Sequence, residues 1–344
     1  MSCFVINGKF LAYPITGVQR FAREIIAELD LVAEKGCFEL VVPANAQNIP
    51  NLKQIKIIKS KMKASVLWEQ LWLPIYIARK KAVGVHLCHV APVLKPDVVC
   101  IHDVNVISNP KWFTKKIYLW YKIIGIFCSK FSKKILTVSE FSKRELIRVL
   151  GAPCSKITVV CEGWQHLNNI IADESSLERY SLKKGQFYFS LGTRAPHKNI
   201  RWIYDYAKKY PKAIFVVSGF SDKRIYGKID ESIPENMKFL GYLSDEEIKS
   251  LMQNCKAFVF PSFYEGFGIP PIEALGLGTQ VIVSDIPVMH EIFGNTVHYI
   301  DPYNVSVDLE KLLSEPVVSA ETVLKKYSWE NAAALLLDTI KEFA

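Results

Sequence analysis

Pro261-Ser-Phe-Tyr-Glu-Gly-Phe-Gly-Ile-Pro-Pro-Ile-Glu-Ala-Leu-Gly276 follows directly on the apolar run Ala257-Phe-Val-Phe260. The apolar run reads as a strand buried on both faces, as in a parallel sheet. A glycine-bearing turn comes next, and then the start of a helix. Strand, turn and helix N-terminus together favour negative charge, because backbone N–H groups and the helix dipole both point at the turn. Glu265 and Glu273 sit in this setting, and carboxylates there need a partner other than phosphate. Hydroxyl groups fit, since each carboxylate accepts several charge-assisted hydrogen bonds. A ligand with both a diphosphate and hydroxylated rings satisfies the whole segment, which is the chemistry of a nucleotide sugar. A glycosidase pair fits less well: continuous helix would separate the two carboxylates by roughly 12 Å, beyond the roughly 5–9.5 Å such a pair needs. The intervening loop weakens that objection without removing it. The plain alternative is a solvated loop Glu and a helix Glu capping exposed N–H groups.

Working outward, the 344 residues suggest two domains, and half of them are hydrophobic, enough for two cores. Short Val/Ile-rich runs alternate with helical stretches, the pattern of α/β architecture. The eight cysteines form no C-x-x-C pair and no cluster of metal spacing. Most lie in apolar runs, where Cys behaves as a small core residue, so a reducing cytoplasm is expected. The opening Met-Ser-Cys-Phe-Val-Ile-Asn-Gly reads as a first strand rather than a signal peptide. No run of uncharged apolar residues is long enough to span a bilayer. Charge is uneven: residues 1–170 carry 24 Lys+Arg against 11 Asp+Glu, a net +13, and the remainder a net −4. The basic half calls for an acidic partner, whether nucleic acid, anionic membrane or phosphorylated substrate. No recognisable RNA- or DNA-binding module accompanies it, so nucleic acid is not expected.

In the first half, strands are expected at 3–7, 39–42, 56–58, 85–89, 98–101, 135–138 and 157–161, with a helix over 16–34. In the second half they are expected at 187–191, 214–218, 238–240, 257–260, 281–284 and 298–300. Helices are expected there at 201–210, 245–254, 271–276 and 305–313. Residues 162–185 read as the connection between domains. Ser328-Trp-Glu-Asn331 opens a final helix with a good N-cap.

The run Glu265-Gly-Phe-Gly-Ile-Pro-Pro-Ile-Glu-Ala274 resembles the E-G-F-G-L-P-x-L-E-A signature of the retaining GT-B glycosyltransferases of family 4, also called glycosyl transferases group 1. The resemblance implies two Rossmann-like doubly wound domains facing each other across a cleft, an α/β fold. Their expected bounds are 1–165, acceptor-binding, and 166–327, nucleotide-sugar-binding, with a helix over 328–344 crossing back to the first. It implies that Glu265 contacts the transferred sugar and Glu273 the nucleotide ribose. Backbone amides of Gly266, Phe267, Gly268 and Ile269 would reach sugar hydroxyls and phosphates. It implies no cofactor beyond a nucleoside-diphosphate sugar as donor, and no metal; the absence of a D-x-D triplet agrees. The expected acceptor is a hydroxyl of a glycan or a polyprenyl-diphosphate-linked glycan, in bacterial surface polysaccharide synthesis. A sugar-nucleotide epimerase on the same scaffold and a non-catalytic glycan- or lipid-binding protein are the alternatives.

Four further segments join this frame. Ser190-Leu-Gly-Thr-Arg-Ala-Pro-His-Lys-Asn199 resembles the family's phosphate loop, with Gly192 at the turn and Lys198 at the matching lysine. Many members carry Arg directly after the Gly. Here Thr193 stands there and Arg194 follows, so Arg194 is the weaker phosphate candidate, and His197 replaces a second basic residue. Gly17, after the first strand, matches a glycine that lets substrate approach the backbone, although Thr16 can equally act as a simple N-cap. His102-Asp103 ends a strand at the carboxyl edge, where the His can orient a sugar hydroxyl or stabilise a developing charge and the Asp can take the acceptor proton. A satisfied strand-end His and a capping Asp are the alternative. Finally, aromatics and lysines alternate over 111–134. The pattern leaves open a helix lying in a membrane interface and a core helix with solvated lysines, so a peripheral position on the inner face of the membrane stays in view.

Overall fold

The computed structural model describes residues 4–192, 195–219 and 233–343. Arg194, one of the expected donor contacts, lies outside them. The chain divides into two compact units, one of residues 1–108, 115–162 and 328–344, the other of residues 109–114 and 163–327.

The first unit is built on strands β1 (Phe4–Asn7), β2 (Phe38–Val42), β3 (Lys56–Lys59), β4 (Val83–His86), β5 (Val98–Cys100), β6 (Lys134–Thr137) and β7 (Ile157–Val159). Among the described residues they form one parallel sheet in the order β3-β2-β1-β4-β5-β6-β7. β1, β2, β4 and β5 are buried along their whole length, which is why they are mostly apolar on both faces rather than alternating, with Asn7, Glu39 and His86 as buried polar exceptions. The chain lays β1, β2 and β3 outward to one side, then returns to add β4 on the other side of β1. Neighbouring connections therefore diverge between β1 and β4, and the carboxyl edge there is open to a ligand. The helix Trp329–Lys341 packs on the helix Gly17–Val32. Trp329 meets Phe21 edge-on at 6.1 Å, and the Ser328 hydroxyl accepts the Asn331 N–H at 3.1 Å as N-cap.

The second unit repeats the design with β8 (Phe187–Leu191), β9 (Ile214–Ser218), β10 (Met237–Gly241), β11 (Ala257–Phe260), β12 (Val281–Ser284) and β13 (His298–Ile300). Their parallel order is β10-β9-β8-β11-β12-β13, with the divergence between β8 and β11. Phe258 and Phe260 of β11 are almost wholly buried; each such side chain contributes about 1.5–3 kcal/mol. The strand expectations hold to within a few residues.

One expectation is corrected. The helix expected from residue 111 starts at Lys115; Pro110–Trp112 forms a 3-10 turn and Phe113 is extended. The reason is aromatic packing within the second unit: Trp112 lies 6.1 Å from Phe263 and 6.2 Å from His197, and Phe113 6.4 Å from His197. The stretch 163–185, expected as the connection between domains, clusters with that unit. The Lys249 ammonium donates to Leu167 O at 2.8 Å and Ile170 O at 2.7 Å, and Arg179 pairs with Glu247 at 2.8 Å.

Candidate functional site

The loops after β8 and β11 meet at the divergence point of the second sheet. Gly192 directly follows β8, its N–H donating to Ser218 O at 2.9 Å. The turn Pro196–Lys198 then leads to Asn199, whose φ is +53°. Asparagine tolerates this left-handed conformation better than most residues. Its buried side chain donates to Pro261 O at 2.9 Å and to Pro302 O at 2.8 Å. Asn199 thus ties the β8 loop to the β11 loop, and Phe263 N–H donates back to His197 O at 2.7 Å. The sequence reading passed over Asn199; the signal was an Asn immediately before an apolar-periodic helix.

These ties bring the Lys198 ammonium to 2.7 and 2.9 Å from the two oxygens of Glu265 and 5.0 Å from the Phe260 ring centre. The lysine side chain is 20 % exposed and the glutamate 11 %. Two groups chosen separately, one for phosphate and one for a sugar hydroxyl, therefore satisfy each other. A ligand carrying both functions can replace each partner by its own. His197, beside Lys198, adds no charge: burial first, and the Lys198 ammonium second, push it down to about 3. Its Nδ1 and the buried Ser262 hydroxyl have no hydrogen-bond partner among the described residues, which leaves polar capacity around the pair.

Glu273 lies on the helix Ile269–Gly276, 6 % exposed. His166 Nε2 is 2.8 Å from Glu273 Oε1, an ion-pair distance. The sequence reading missed His166 altogether, because nothing local links the two. Gly268, the N-cap, has φ +119°, and a Cβ there would stand 3.3 Å from Met289 Cε; a side chain is strained on both counts. Pro270 and Pro271 follow at the second and third helical positions. Prolines suit a first turn but have no N–H. The helix start therefore offers at most the Ile269 N–H from its first three positions, and the expected donation by the helix terminus narrows to backbone of the 266–269 loop. Gly266 is buried, and Phe267 is 2 % exposed, edge-on to Tyr327 at 5.1 Å. The Phe267 ring anchors the loop and leaves only its backbone for a ligand.

In the first unit, His102 is 3 % exposed. Its Nε2 donates to Leu87 O at 2.9 Å and its Nδ1 approaches Glu162 Oε1 at 3.3 Å. Burial opposes its charging, but Cys100 and the Glu162 carboxylate outweigh that and hold the imidazole well above its usual range. Orienting a sugar hydroxyl needs a ring nitrogen to spare, and both are engaged inside the unit. Asp103 Oδ1 accepts the Asn105 N–H at 2.8 Å, the capping geometry. Gly17 is the exposed first residue of its helix, and the Thr16 N–H donates to the Gln19 side chain at 3.2 Å.

Residues 174–328 match the family described as "Glycosyl transferases group 1". The chain is 28 % identical to the O-antigen chain mannosyltransferase RfbU of Salmonella typhimurium, over 80 % of this chain and 77 % of that one. It is 25 % identical to the O-antigen chain mannosyltransferase B of Escherichia coli, over 96 % and 97 %. Among solved structures, sucrose-phosphate synthase from Thermosynechococcus elongatus superposes with a TM-score of 0.76 at 14 % identity, covering 99 % of both chains. Anabaena HepE in complex with UDP and glucose superposes with a TM-score of 0.71 at 13 % identity, covering 98 % and 99 %.

Proposed function

We infer, from a chain with the GT-B fold whose residues 174–328 belong to the glycosyl transferases group 1 family, that the protein is a glycosyltransferase. It moves a sugar from a nucleoside-diphosphate donor to a hydroxyl of a glycan or lipid-linked glycan acceptor. The observation that carries this reading is the Lys198–Glu265 pair at the carboxyl edge between β8 and β11, with Glu273 on the following helix. The acceptor oxygen bonds to the anomeric carbon as the bond to the diphosphate breaks, and the acceptor proton passes to the departing phosphate oxygen. Lys198 offsets the charge that develops there, Glu265 accepts from hydroxyls of the moving sugar, and Glu273 accepts from the ribose. Attack from the leaving-group face retains configuration and yields an α-linkage, with no resident metal. The relatives' names put mannose first among donors and O-antigen assembly first among settings. The test is transfer from a panel of nucleoside-diphosphate sugars to a polyprenyl-diphosphate-linked saccharide. An α-linked product, formed undiminished in EDTA, is expected. Released free sugar or an altered donor without acceptor would point to hydrolysis or epimerisation instead.

A lipid-linked acceptor also gives meaning to the helix Lys115–Phe131. Its inner face, with Ile124 and Cys128, is core. Leu119, Ile123, Phe127 and Phe131 recur every four residues and are exposed, with Lys115, Lys116, Lys122 and Lys130 on the same helix. None of the described helices is long and apolar enough to cross a membrane. An apolar stripe flanked by lysines suits an anionic interface. The protein is expected to float with phosphatidylglycerol vesicles, to be released by salt, and to lose flotation in Ile123→Glu. Equal flotation with neutral phosphatidylcholine vesicles would count against this contact.

A further inference from the structure

Asn109-Pro-Lys-Trp-Phe-Thr114 is a short excursion of the chain: residues 1–108 and 115–162 on either side cluster with the first unit, and these six cluster with the second. Pro110 opens a 3-10 turn, where its missing N–H costs nothing, and the Trp112 N–H donates to Asn109 O at 3.1 Å. The turn brings two aromatic rings to His197: Trp112 at 6.2 Å with planes tilted by 36°, and Phe113 at 6.4 Å and 26°. Trp112 also stacks on Phe263 at 6.1 Å and 21°, and Phe263 continues to Tyr303 at 4.9 Å and 31°. All four separations fall in the roughly 4.5–7 Å range over which aromatic pairs attract. His197 immediately precedes Lys198, and Phe263 stands two residues before Glu265. Hydrogen bonds lace the same loops together. Phe263 N–H donates to His197 O at 2.7 Å, and the Asn199 amide donates to Pro261 O and Pro302 O. The loops that follow β8, β11 and β13 are thus joined by these bonds and again by the ladder Trp112–Phe263–Tyr303.

We propose that Trp112 is a positioning residue for the donor site: its ring, carried in by a segment that interrupts the first unit, holds the turn of His197 and Lys198 against the Phe263 loop and so fixes the Lys198–Glu265 pair before a nucleoside diphosphate arrives. The proposal rests on the reading of that pair as donor-binding. A lysine ammonium sits on a flexible four-carbon stem. It stays 2.7 and 2.9 Å from the Glu265 oxygens only while the backbone on both sides keeps its place. Trp112 reaches both sides, the His197 ring on one loop and the Phe263 ring on the other, so it holds the spacing between them. Its cover also bears on the state of His197. Burial first, and the Lys198 charge second, push that imidazole down to about 3. The ring is therefore neutral at pH 7 and packs as one more aromatic plane. Site geometry fixed in advance raises affinity by cutting the ordering that binding requires, and a small misplacement of a charged group is felt strongly.

The test is calorimetric titration of the full chain with GDP, UDP, ADP and dTDP in turn, following the tightest binder in three variants. Trp112→Ala is expected to raise its Kd about tenfold, and Trp112→Phe, which keeps a flat ring, to hold it within about threefold of wild type. Trp112→Leu keeps apolar volume without the plane and is expected to fall between them. Steady-state transfer should show the same order, with donor KM rising and acceptor KM unchanged. A residue that only supports the fold behaves differently: partial unfolding lowers the number of sites titrated and leaves the Kd of the folded fraction alone. If Trp112→Ala does not fold, tighter binding by Trp112→Phe than by Trp112→Leu decides the same question. A wild-type Kd in Trp112→Ala, or equal Kd values for the Phe and Leu variants, would overturn the proposal. When wild type binds a diphosphate in that case, the role of Trp112 fails alone; when wild type binds none of the four, the donor-site reading fails and takes the proposal with it.

Discussion

Lys198→Ala is expected to lower kcat/KM for transfer by about 10³, the scale seen when a positioned transition-state donor is removed. The lysine is held 2.7 and 2.9 Å from Glu265 before any donor arrives, so the substitution does two things at once. It removes the cation proposed to face the leaving diphosphate, and it leaves the Glu265 carboxylate, only 11 % exposed, without its strongest partner. The second effect bears on stability: a pair this little exposed lies between the about 1 kcal/mol of an exposed pair and the about 3–5 kcal/mol lost when one partner of a buried pair is removed. Rate and stability still separate: melting should fall by several degrees while the protein stays folded and transfer nearly disappears. Glu265→Gln should cost less in stability than Lys198→Ala, because the amide still accepts from the lysine. The double variant should lose much less activity than the product of the two single losses, since both remove parts of one unit. If Lys198→Ala transfers sugar at the wild-type rate, or if its rate loss is matched by a comparable loss of folded protein, the pair is scaffold and not donor site. Lys198→Arg is the informative intermediate. It keeps the charge, but a planar fork replaces a point charge beside the Phe260 ring.

Most of the strand framework was legible because both sheets are parallel and buried, and such strands announce themselves as short apolar runs. Ala257–Phe260 is the clearest instance, and the glutamate motif after it fixed which edge of the sheet to look at. What stayed hidden depends on pairings between distant segments. Nothing around Trp112 says that its ring will stack on Phe263 rather than join the lysine-rich helix behind it. His102 looked exposed to chemistry because it follows a strand; Leu87 and Glu162, which occupy its ring nitrogens, come from elsewhere in the chain. The two prolines after Ile269 were visible in sequence as part of a motif, yet their cost in N–H donors becomes plain only once the helix start is placed. Glu69 lies in the π-turn Trp68–Trp72, and a π-turn has no local signature that separates it from α-helix. The proposed donor side was thus readable from one continuous motif, while a cavity in the first unit, assembled from β1, a π-turn and a distant helix, was not.

Gly276→Ala is expected to damage the second unit more than any other single methyl group there. A Cβ at this position would stand 2.2 Å from Trp164 Cε3, 2.6 Å from Cζ3 and 2.7 Å from Cδ2. The indole cannot simply swing aside, because its Nε1 donates to Leu324 O at 3.1 Å and the next residue, Gln165, donates to Tyr327 O at 3.0 Å. Either the ring gives up that bond or the helix Ile269–Gly276 backs away. Overpacking of this kind costs about 1–3 kcal/mol, which for a unit of this size lowers Tm by roughly 2–12 °C. Function should report which way the strain is relieved. Trp164 leads into the turn Gln165–Asn169 that carries His166 to within 2.8 Å of Glu273, so a displaced helix moves the carboxylate assigned to the ribose. Donor KM should then rise several-fold with kcat less affected, the pattern of lost ground-state binding. Gly278→Ala is the control: its φ of +77° makes a side chain strained, but a Cβ there meets nothing within 4 Å, so donor KM should stay put. Trp164→Leu combined with Gly276→Ala should recover part of the stability by vacating the contact. A Gly276→Ala protein that melts and binds donor as wild type does would mean that this helix and Trp164 do not pack as closely as described, and the placement of Glu273 would fall with them.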